Sequence, residues 1–88
     1  MDRVQPLVYQ ALQPMKADLE QQYKGEFETF ELEAIFEGYP SAGYVLEVKA
    51  PWTKIYGQPF RDMVRALHQL KQESEYARYV KSIKILND

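Results

Sequence analysis

The chain has 88 residues, of which 45% are hydrophobic, it contains no cysteine, and its formal net charge is −2 at pH 7. This length predicts one domain with a modest core, and the missing cysteines exclude disulfides, thiol nucleophiles and thiolate metal sites. Because no apolar run approaches the roughly 20 residues of a membrane span and the N-terminus lacks a signal-peptide pattern, we expect a cytoplasmic protein without membrane contact.

The first 23 residues predict a helix, because apolar side chains recur there at spacings of three and four. This stripe consists of Val4, Leu7, Val8, Ala11, Leu12, Met15, Leu19 and Tyr23. Asp2 is a candidate cap at the start of the helix. Proline inside a helix removes a hydrogen bond and clashes with the preceding turn, so Pro14 predicts a kink or a restart near Gln13. We expect Lys24-Gly25 to end the helix.

The segment FETFELEAIF switches to a period of two, which predicts a half-buried strand, and YVLEVKA predicts a second one. The inward faces comprise Phe30, Leu32, Ala34 and Phe36 in the first strand and Tyr44, Leu46, Val48 and Ala50 in the second. Turn-forming residues between them, including Pro40, predict a hairpin. The predicted register places Phe36 opposite Leu46. It also places Glu33 opposite Lys49 on the outer face, which is a favourable pair.

A helical period returns in the second half of the chain and predicts a second helix. Its apolar stripe consists of Phe60, Met63, Val64, Leu67, Leu70 and Ala77. The last segment, YVKSIKIL, alternates at Ile83 and Ile85 and predicts a third strand, with a helix continued to Leu86 as the alternative. The result is an α+β fold in the order helix-strand-strand-helix-strand. A crossover would bring both helices onto one face of a three-stranded sheet.

This element order resembles the BolA-like and type II KH folds, but the G-x-x-G loop with which KH domains hold nucleic acid is missing. Residues for catalysis are sparse, since His68 is the single histidine and a metal site needs several ligands. Glu31, Glu33 and Glu37 share one strand face, where we expect them to be solvated. We therefore expect no enzymatic activity, no metal and no organic cofactor.

Charge is distributed unevenly along the chain. Residues 1–38 contain three Lys/Arg against eight Asp/Glu, and residues 39–88 contain eight against five. We interpret this as mutual neutralisation within one fold, with an interaction face as the alternative. On the second helix a basic edge is possible beside Lys54, formed by Arg61, Arg65, His68 and Gln72. Asp62 is expected to satisfy the first amides of that helix, and a solvated helix face is the preferred interpretation.

The aromatic content points to an interface, because seven tyrosines and one tryptophan exceed what a small core buries and aromatic residues are enriched where proteins meet. The sequence thus predicts a module that binds a protein partner or forms a homo-oligomer; the alternative is a nucleic-acid-associated regulator that uses the basic edge. Candidate partner-binding residues are Lys54, Tyr56, Arg61, Arg65, Ile35 and Val45. Trp52 is expected in the core near Phe30, where its truncation to alanine should cost roughly 3–5 kcal/mol.

Overall fold

A computed structural model describes residues 3–53 and 57–86. The helices and strands are α1 (Val4–Ala11), α2 (Gln13–Tyr23), β1 (Thr29–Ala34), β2 (Tyr44–Lys49), α3 (Gln58–Glu73) and β3 (Val80–Ile85). Within these ranges, short 3-10 turns occur at Pro40–Ala42, Pro51–Thr53 and Tyr76–Tyr79. The predicted α+β class is confirmed. None of the described helices is long and apolar enough to cross a membrane.

The predicted first helix is divided into α1 and α2 at Leu12, which confirms the restart near Gln13. Pro14 is the second residue of α2, a position where a backbone N–H has no intrahelical partner to lose. The helix ends as predicted at Lys24, whose φ of 55° is left-handed and stops the helical hydrogen-bond pattern. The candidate cap Asp2 lies outside the described residues.

The sheet has β2 at its centre, antiparallel to β1 and parallel to β3. The connection from β2 to β3 passes through α3, as a parallel pair requires. The last segment is therefore a strand, and the alternative of a helix continued to Leu86 is wrong.

The predicted register of the hairpin is wrong by four residues along β1. Leu32, not Phe36, lies opposite Leu46. The reason is the connector, residues 35–43, which contains a 3-10 turn in place of a tight hairpin loop and so requires β1 to end at Ala34. Phe36, predicted to be buried, is 63% exposed.

The buried core lies between the helices and one face of the sheet, as predicted. Its members are Val8, Leu12, Met15, Leu19, Met63 and Leu67 from the helices, Ala77 from the last 3-10 turn, and Phe30, Leu32, Tyr44, Leu46, Val48, Val80 and Ile85 from the strands. Val64, predicted on the apolar stripe, is exposed. The buried face of α3 is thus narrower than the apolar stripe that the sequence predicted.

The other face of the sheet is open and polar. Glu31 lies directly opposite Glu47, and Glu47 is in turn the partner of Lys84 on β3, so the cation offsets part of the repulsion between like charges. The predicted pair of Glu33 and Lys49 is wrong, because the shifted register places Val45 opposite Glu33. Lys49 forms an ion pair with Glu28 instead, at 3.6 Å.

The free edge of β1 is covered in part by α1, which packs beside it. The side-chain amide of Gln5 donates a hydrogen bond of 2.8 Å to the Leu32 carbonyl oxygen. The free edge of β3 carries the exposed side chains of Lys81 and Lys84. The two edges of the sheet are therefore protected by different means.

Candidate functional site

The segment after β2 turns away from the sheet at once, in the 3-10 turn Pro51–Thr53. The buried Thr53 hydroxyl closes this turn: it accepts a hydrogen bond from the Ala50 N–H at 2.9 Å and donates one to the Ala50 carbonyl oxygen at 2.8 Å. The next three residues lie outside the described ranges. Lys54 and Tyr56, two of the predicted partner-binding residues, are among them.

Trp52 packs in an aromatic cluster rather than facing solvent. Its ring stacks on Tyr23 with centroids 4.6 Å apart and meets Phe27 edge-on at 4.9 Å. The indole N–H donates to the Gly25 carbonyl oxygen at 3.0 Å. The ring packs against the core as predicted, although Phe27 lies between it and Phe30.

Asp62 joins α3 to α2 through side-chain hydrogen bonds. Its carboxylate accepts from the Tyr23 hydroxyl and from the Gln22 amide at 2.9 Å. It also accepts from the Gln58 amide at 2.6 Å and lies 3.9 Å from the Arg65 guanidinium. Burial, followed by the hydrogen bond and the charge of Asp62, raises the pKa of Tyr23 to about 12. The Tyr23 hydrogen bond is the main cause that lowers the pKa of Asp62.

These bonds also correct one prediction, because Asp62 does not satisfy the first amides of its own helix. The residue that precedes α3 is Gly57, which offers no side chain as a cap. Asp62 lies a full turn into the helix and points to α2. Its role in the described structure is to hold the two helices together.

The predicted basic edge of α3 is exposed but partly neutralised. Arg65 pairs with the carboxylate of Asp62, and Arg61 lies 3.5 Å from the side-chain oxygen of Gln58. His68 is exposed on the same helix and has no carboxylate within ion-pair distance among the described residues. These side chains form a solvated helix face rather than a concentrated positive site.

The described members of the predicted partner-binding set do not share one surface. Arg61 and Arg65 lie in the N-terminal half of α3, near the end of β2. Val45 is half-buried on the open face of the sheet. Ile35 lies at the opposite end of the sheet, where β1 runs into the connector.

The connector exposes three large apolar side chains to solvent, and its backbone forms hydrogen bonds. Ile35 is 44% exposed, Phe36 63% and Tyr39 67%. The Ile35 N–H donates to the Gly43 carbonyl oxygen at 3.1 Å, and the Tyr39 N–H donates to the Phe36 carbonyl oxygen at 3.1 Å. We call this connector, residues 35–43 with the exposed side chains of Ile35, Phe36 and Tyr39, the aromatic connector. Its backbone is hydrogen-bonded at these two points, although its side chains remain exposed.

At Gly43 the end of the connector packs closely against the start of β3. Its φ of 91° and ψ of −171° lie in a region that only glycine adopts readily. A Cβ atom there would lie 2.6 Å from the Tyr79 carbonyl oxygen and 2.7 Å from Cγ of Lys81. Gly38, by contrast, has a φ of 81° but faces open space. The connector is therefore packed closely against Tyr79 and Lys81 at Gly43, whereas the space beside Gly38 is open.

Three cations gather beside this close contact, from three different elements. They are Lys71 of α3, Arg78 of the last 3-10 turn and Lys81 of β3; we call them the cation cluster. Nε of Arg78 donates to the Lys71 carbonyl oxygen at 2.8 Å, and Nζ of Lys81 donates to the Arg78 carbonyl oxygen at 3.3 Å. Burial and then the charge of Lys81 lower the pKa of Lys71. None of the three forms a salt bridge within the part of the chain that the structure describes.

Of these two groups, sequence reasoning singled out only Ile35. Phe36 was assigned to the core because the period of two continues past the true end of β1. The next glycine after Gly38, at position 43, was the available signal of a long connector. No local pattern links Lys71 with Lys81, because the contact between them depends on how α3 returns the chain to the sheet.

Other candidate sites are weaker. A groove of about 520 Å³ runs between α2 and α3, but Asp62 and Gln22 on its rim already bond to each other. The carboxylates of Glu31 and Glu33 stand on the open sheet face. Among the described residues, no group of three or more His, Asp or Glu side chains is arranged to hold a metal ion.

No protein-family model matches the chain, and searches of the curated proteins and of the solved structures find no significant match either. The surface chemistry of the chain itself is therefore the basis on which function is assigned.

Proposed function

We propose that this chain is a protein-interaction module without enzymatic activity, which docks on a partner protein through the aromatic connector. The supporting observation is that Phe36 and Tyr39 remain 63% and 67% exposed on a hydrogen-bonded segment. Neighbouring exposed apolar residues of this kind mark interaction sites on folded proteins. Aromatic side chains are also the residues that contribute most at such interfaces.

The exposed rings of the connector define the kind of partner. Phe36 and Tyr39 are 63% and 67% exposed, and large rings of this kind contribute most to binding when they insert into an apolar pocket. A standard interface covers about 800 Å² on each partner, which is more than these rings alone supply. The partner in this proposal is a different protein with an apolar pocket for the rings, and neighbouring residues complete the contact.

The alternative of a nucleic-acid-associated regulator has less support. The basic edge that it needs is partly neutralised, because Asp62 pairs with Arg65. Glu33 and Glu37 flank the connector and would repel phosphates, and the sequence pI is about 5.4. A phosphate-binding surface is expected to be basic as a whole.

Site-specific photo-crosslinking tests the proposal in cells of the source organism. Phe36 is replaced by p-benzoylphenylalanine, and Val64, which is exposed on α3, is replaced in the same way as the matched control. We expect one protein to be crosslinked from position 36 and not from position 64. Once this protein is purified, Phe36→Ala combined with Tyr39→Ala should weaken binding at least roughly tenfold, as loss of aromatic anchors does, and Val64→Ala should not.

Two results would contradict the proposal. One is the same set of crosslinked proteins from both positions, which would mean non-specific contact. The other is a purified partner whose affinity is unchanged by the double substitution. If position 36 instead crosslinks to a second copy of the same chain, the partner is the chain itself and the proposed hetero-partner is wrong. Light scattering at micromolar concentration would then give a mass above that of one chain.

A further inference from the structure

We infer that the cation cluster selects the partner by receiving an acidic segment of it, so that the partner presents carboxylate side chains next to the apolar pocket that holds the connector. This inference rests on the proposed function and adds the chemistry of the partner. It assigns Lys71, Arg78 and Lys81 a role in binding that is separate from that of Phe36 and Tyr39.

The cluster is pre-organised for an oxyanion. Nε of Arg78 donates to the Lys71 carbonyl oxygen at 2.8 Å, which restrains the guanidinium beside α3. Within the described residues, no hydrogen bond engages the two terminal nitrogens of Arg78. Such a fork binds a carboxylate through two parallel hydrogen bonds.

The charges of Lys71 and Lys81 lie close enough to interact, and neither lysine forms a salt bridge with a described carboxylate. Lys81 is bonded to the Arg78 carbonyl oxygen at 3.3 Å, and its charge contributes to the lowered pKa of Lys71. Like charges at short range repel one another, and a bound anion relieves that repulsion. An acidic ligand is therefore favoured over a neutral one beside these two lysines.

The cluster and the connector belong to one continuous surface. Cγ and Cε of Lys81 lie 2.7 and 2.8 Å from the position that a Cβ atom of Gly43 would occupy. The 3-10 turns Pro40–Ala42 and Tyr76–Tyr79 contact each other as well. A partner that seats its pocket on the connector thus brings its rim to the cations. Apolar anchors surrounded by charged contacts are the usual anatomy of a specific protein interface.

A protein partner fits these observations better than nucleic acid. Three cations form a compact site, whereas single-stranded nucleic acid follows an extended basic groove. Glu33 and Glu37 stand in or beside the connector and would oppose a continuous phosphate chain. A separate carboxylate segment can approach the cluster without passing them.

Binding of a fluorescein-labelled octaglutamate peptide, measured by fluorescence anisotropy at low and at physiological salt, tests the inference. We expect the protein to bind this peptide, to bind it more weakly as salt screens the charges, and not to bind octalysine. Arg78→Gln combined with Lys81→Gln should lower the affinity at least roughly tenfold, because charge-assisted hydrogen bonds are lost. The matched control, Arg61→Gln with Arg65→Gln, makes the same change in net charge and should lower it less than about twofold.

Absence of peptide binding, or equal losses in the two double variants, would overturn the inference. Tighter binding of a single-stranded thymidine oligonucleotide, lost in Arg78→Gln/Lys81→Gln, would assign the cluster to nucleic acid instead. A dimer seen by sedimentation and lost in that variant would assign it to a second copy. Thermal melting shows whether both double variants fold. If Arg78→Gln/Lys81→Gln does not fold, the single variant Lys81→Gln takes its place, and its loss of peptide affinity is compared with that of Arg61→Gln/Arg65→Gln.

The crosslinked partner separates this inference from the proposed function. If Phe36→Ala/Tyr39→Ala abolishes binding of that partner while Arg78→Gln/Lys81→Gln leaves it unchanged, docking through the connector stands and the acidic partner is rejected. If neither variant affects it, both proposals fail.

Discussion

The two ends of the sheet use similar side chains for different purposes. At the end where β2 leaves the sheet, Trp52 and Tyr23 stack on each other and the charge of Asp62 is met by several donors. At the other end, Phe36 and Tyr39 stand in solvent beside cations that have no carboxylate partner in the described chain. Aromatic and charged groups stabilise the fold where they contact one another. Where they do not, they remain available to another molecule.

The strongest test of this contrast is Trp52→Ala against Phe36→Ala. Loss of the indole removes the stack on Tyr23, the contact with Phe27 and the hydrogen bond to Gly25. We expect the free energy of unfolding to fall by about 3 kcal/mol, near the lower limit for truncated core aromatics because the ring is partly exposed. Urea denaturation followed by circular dichroism measures it. Equal losses in the two variants would remove the distinction between the ends.

The close packing at Gly43 gives the next largest expected effect. Gly43→Ala forces a Cβ atom against the Tyr79 carbonyl oxygen and places alanine at a φ of 91°. We expect it to cost about 2–3 kcal/mol, as residues held in glycine-only regions do. Gly38→Ala is the matched control, because its φ is also positive but the space around it is open; about 1 kcal/mol is expected. Similar costs in thermal melting would mean that the connector is not pressed against β3.

The hydrogen bond between Tyr23 and Asp62 predicts how stability depends on pH at the Trp52 end. The pKa of Tyr23 is raised from 10.0 to about 12 in the folded chain. Its contribution is therefore fully present below pH 10 and is lost as the pH rises through about 12. The pKa of Asp62 is lowered from 3.8, so its contribution is present above about pH 3.8 and is lost as the pH falls through the lower folded value.

Melting temperatures measured across both pH windows check this prediction. Tyr23→Phe should cost about 1 kcal/mol near neutral pH, the usual value of one hydrogen bond, and should flatten the alkaline decline. Asp62→Asn should flatten the acid decline. An alkaline decline that is unchanged in Tyr23→Phe would show that Tyr23 is not the group responsible.

The smallest effects on stability are expected at exposed side chains, including those of the aromatic connector. Phe36→Ala, Tyr39→Ala and Arg61→Ala should each change the free energy of unfolding by about 0.5 kcal/mol or less, as exposed positions do. The same urea titrations measure these changes. A cost well above 1 kcal/mol for Phe36→Ala would mean that the connector serves the fold, and the contrast between the two ends would then rest on the cations alone.

Periodicity predicted most of the elements of this fold, because each depends on local sequence. The helical stripes and the final strand were predicted from spacing, and the break near Pro14 was predicted from the missing N–H of proline. The register of the hairpin was not, since the alternation runs on through Phe36 while the strand stops at Ala34. Where a strand ends is decided by the path of the connector, and that path depends on contacts with the distant residue Tyr79.

The candidate surface was harder to predict than the fold. Arg61 and Arg65 are visible as a pair because they share one helix face. Lys71, Arg78 and Lys81 come from three elements, and only the crossover through α3 brings them together. The pairing of Asp62 with Arg65 is a local contact at i,i+3 on one helix, whereas the hydrogen bonds of Asp62 with Gln22 and Tyr23 of α2 join residues about 40 positions apart and have no signal in the sequence.

Gln5 at the edge of β1 has a consequence for aggregation. An open strand edge is a template on which foreign strands assemble, and the Gln5 amide occupies the Leu32 carbonyl oxygen that an incoming strand would need. Gln5→Ala is therefore expected to promote fibril formation, although its side chain lies outside the core. Thioflavin fluorescence of that variant at high concentration would rise if the amide guards the edge, and would match the unmodified chain if α1 alone is sufficient.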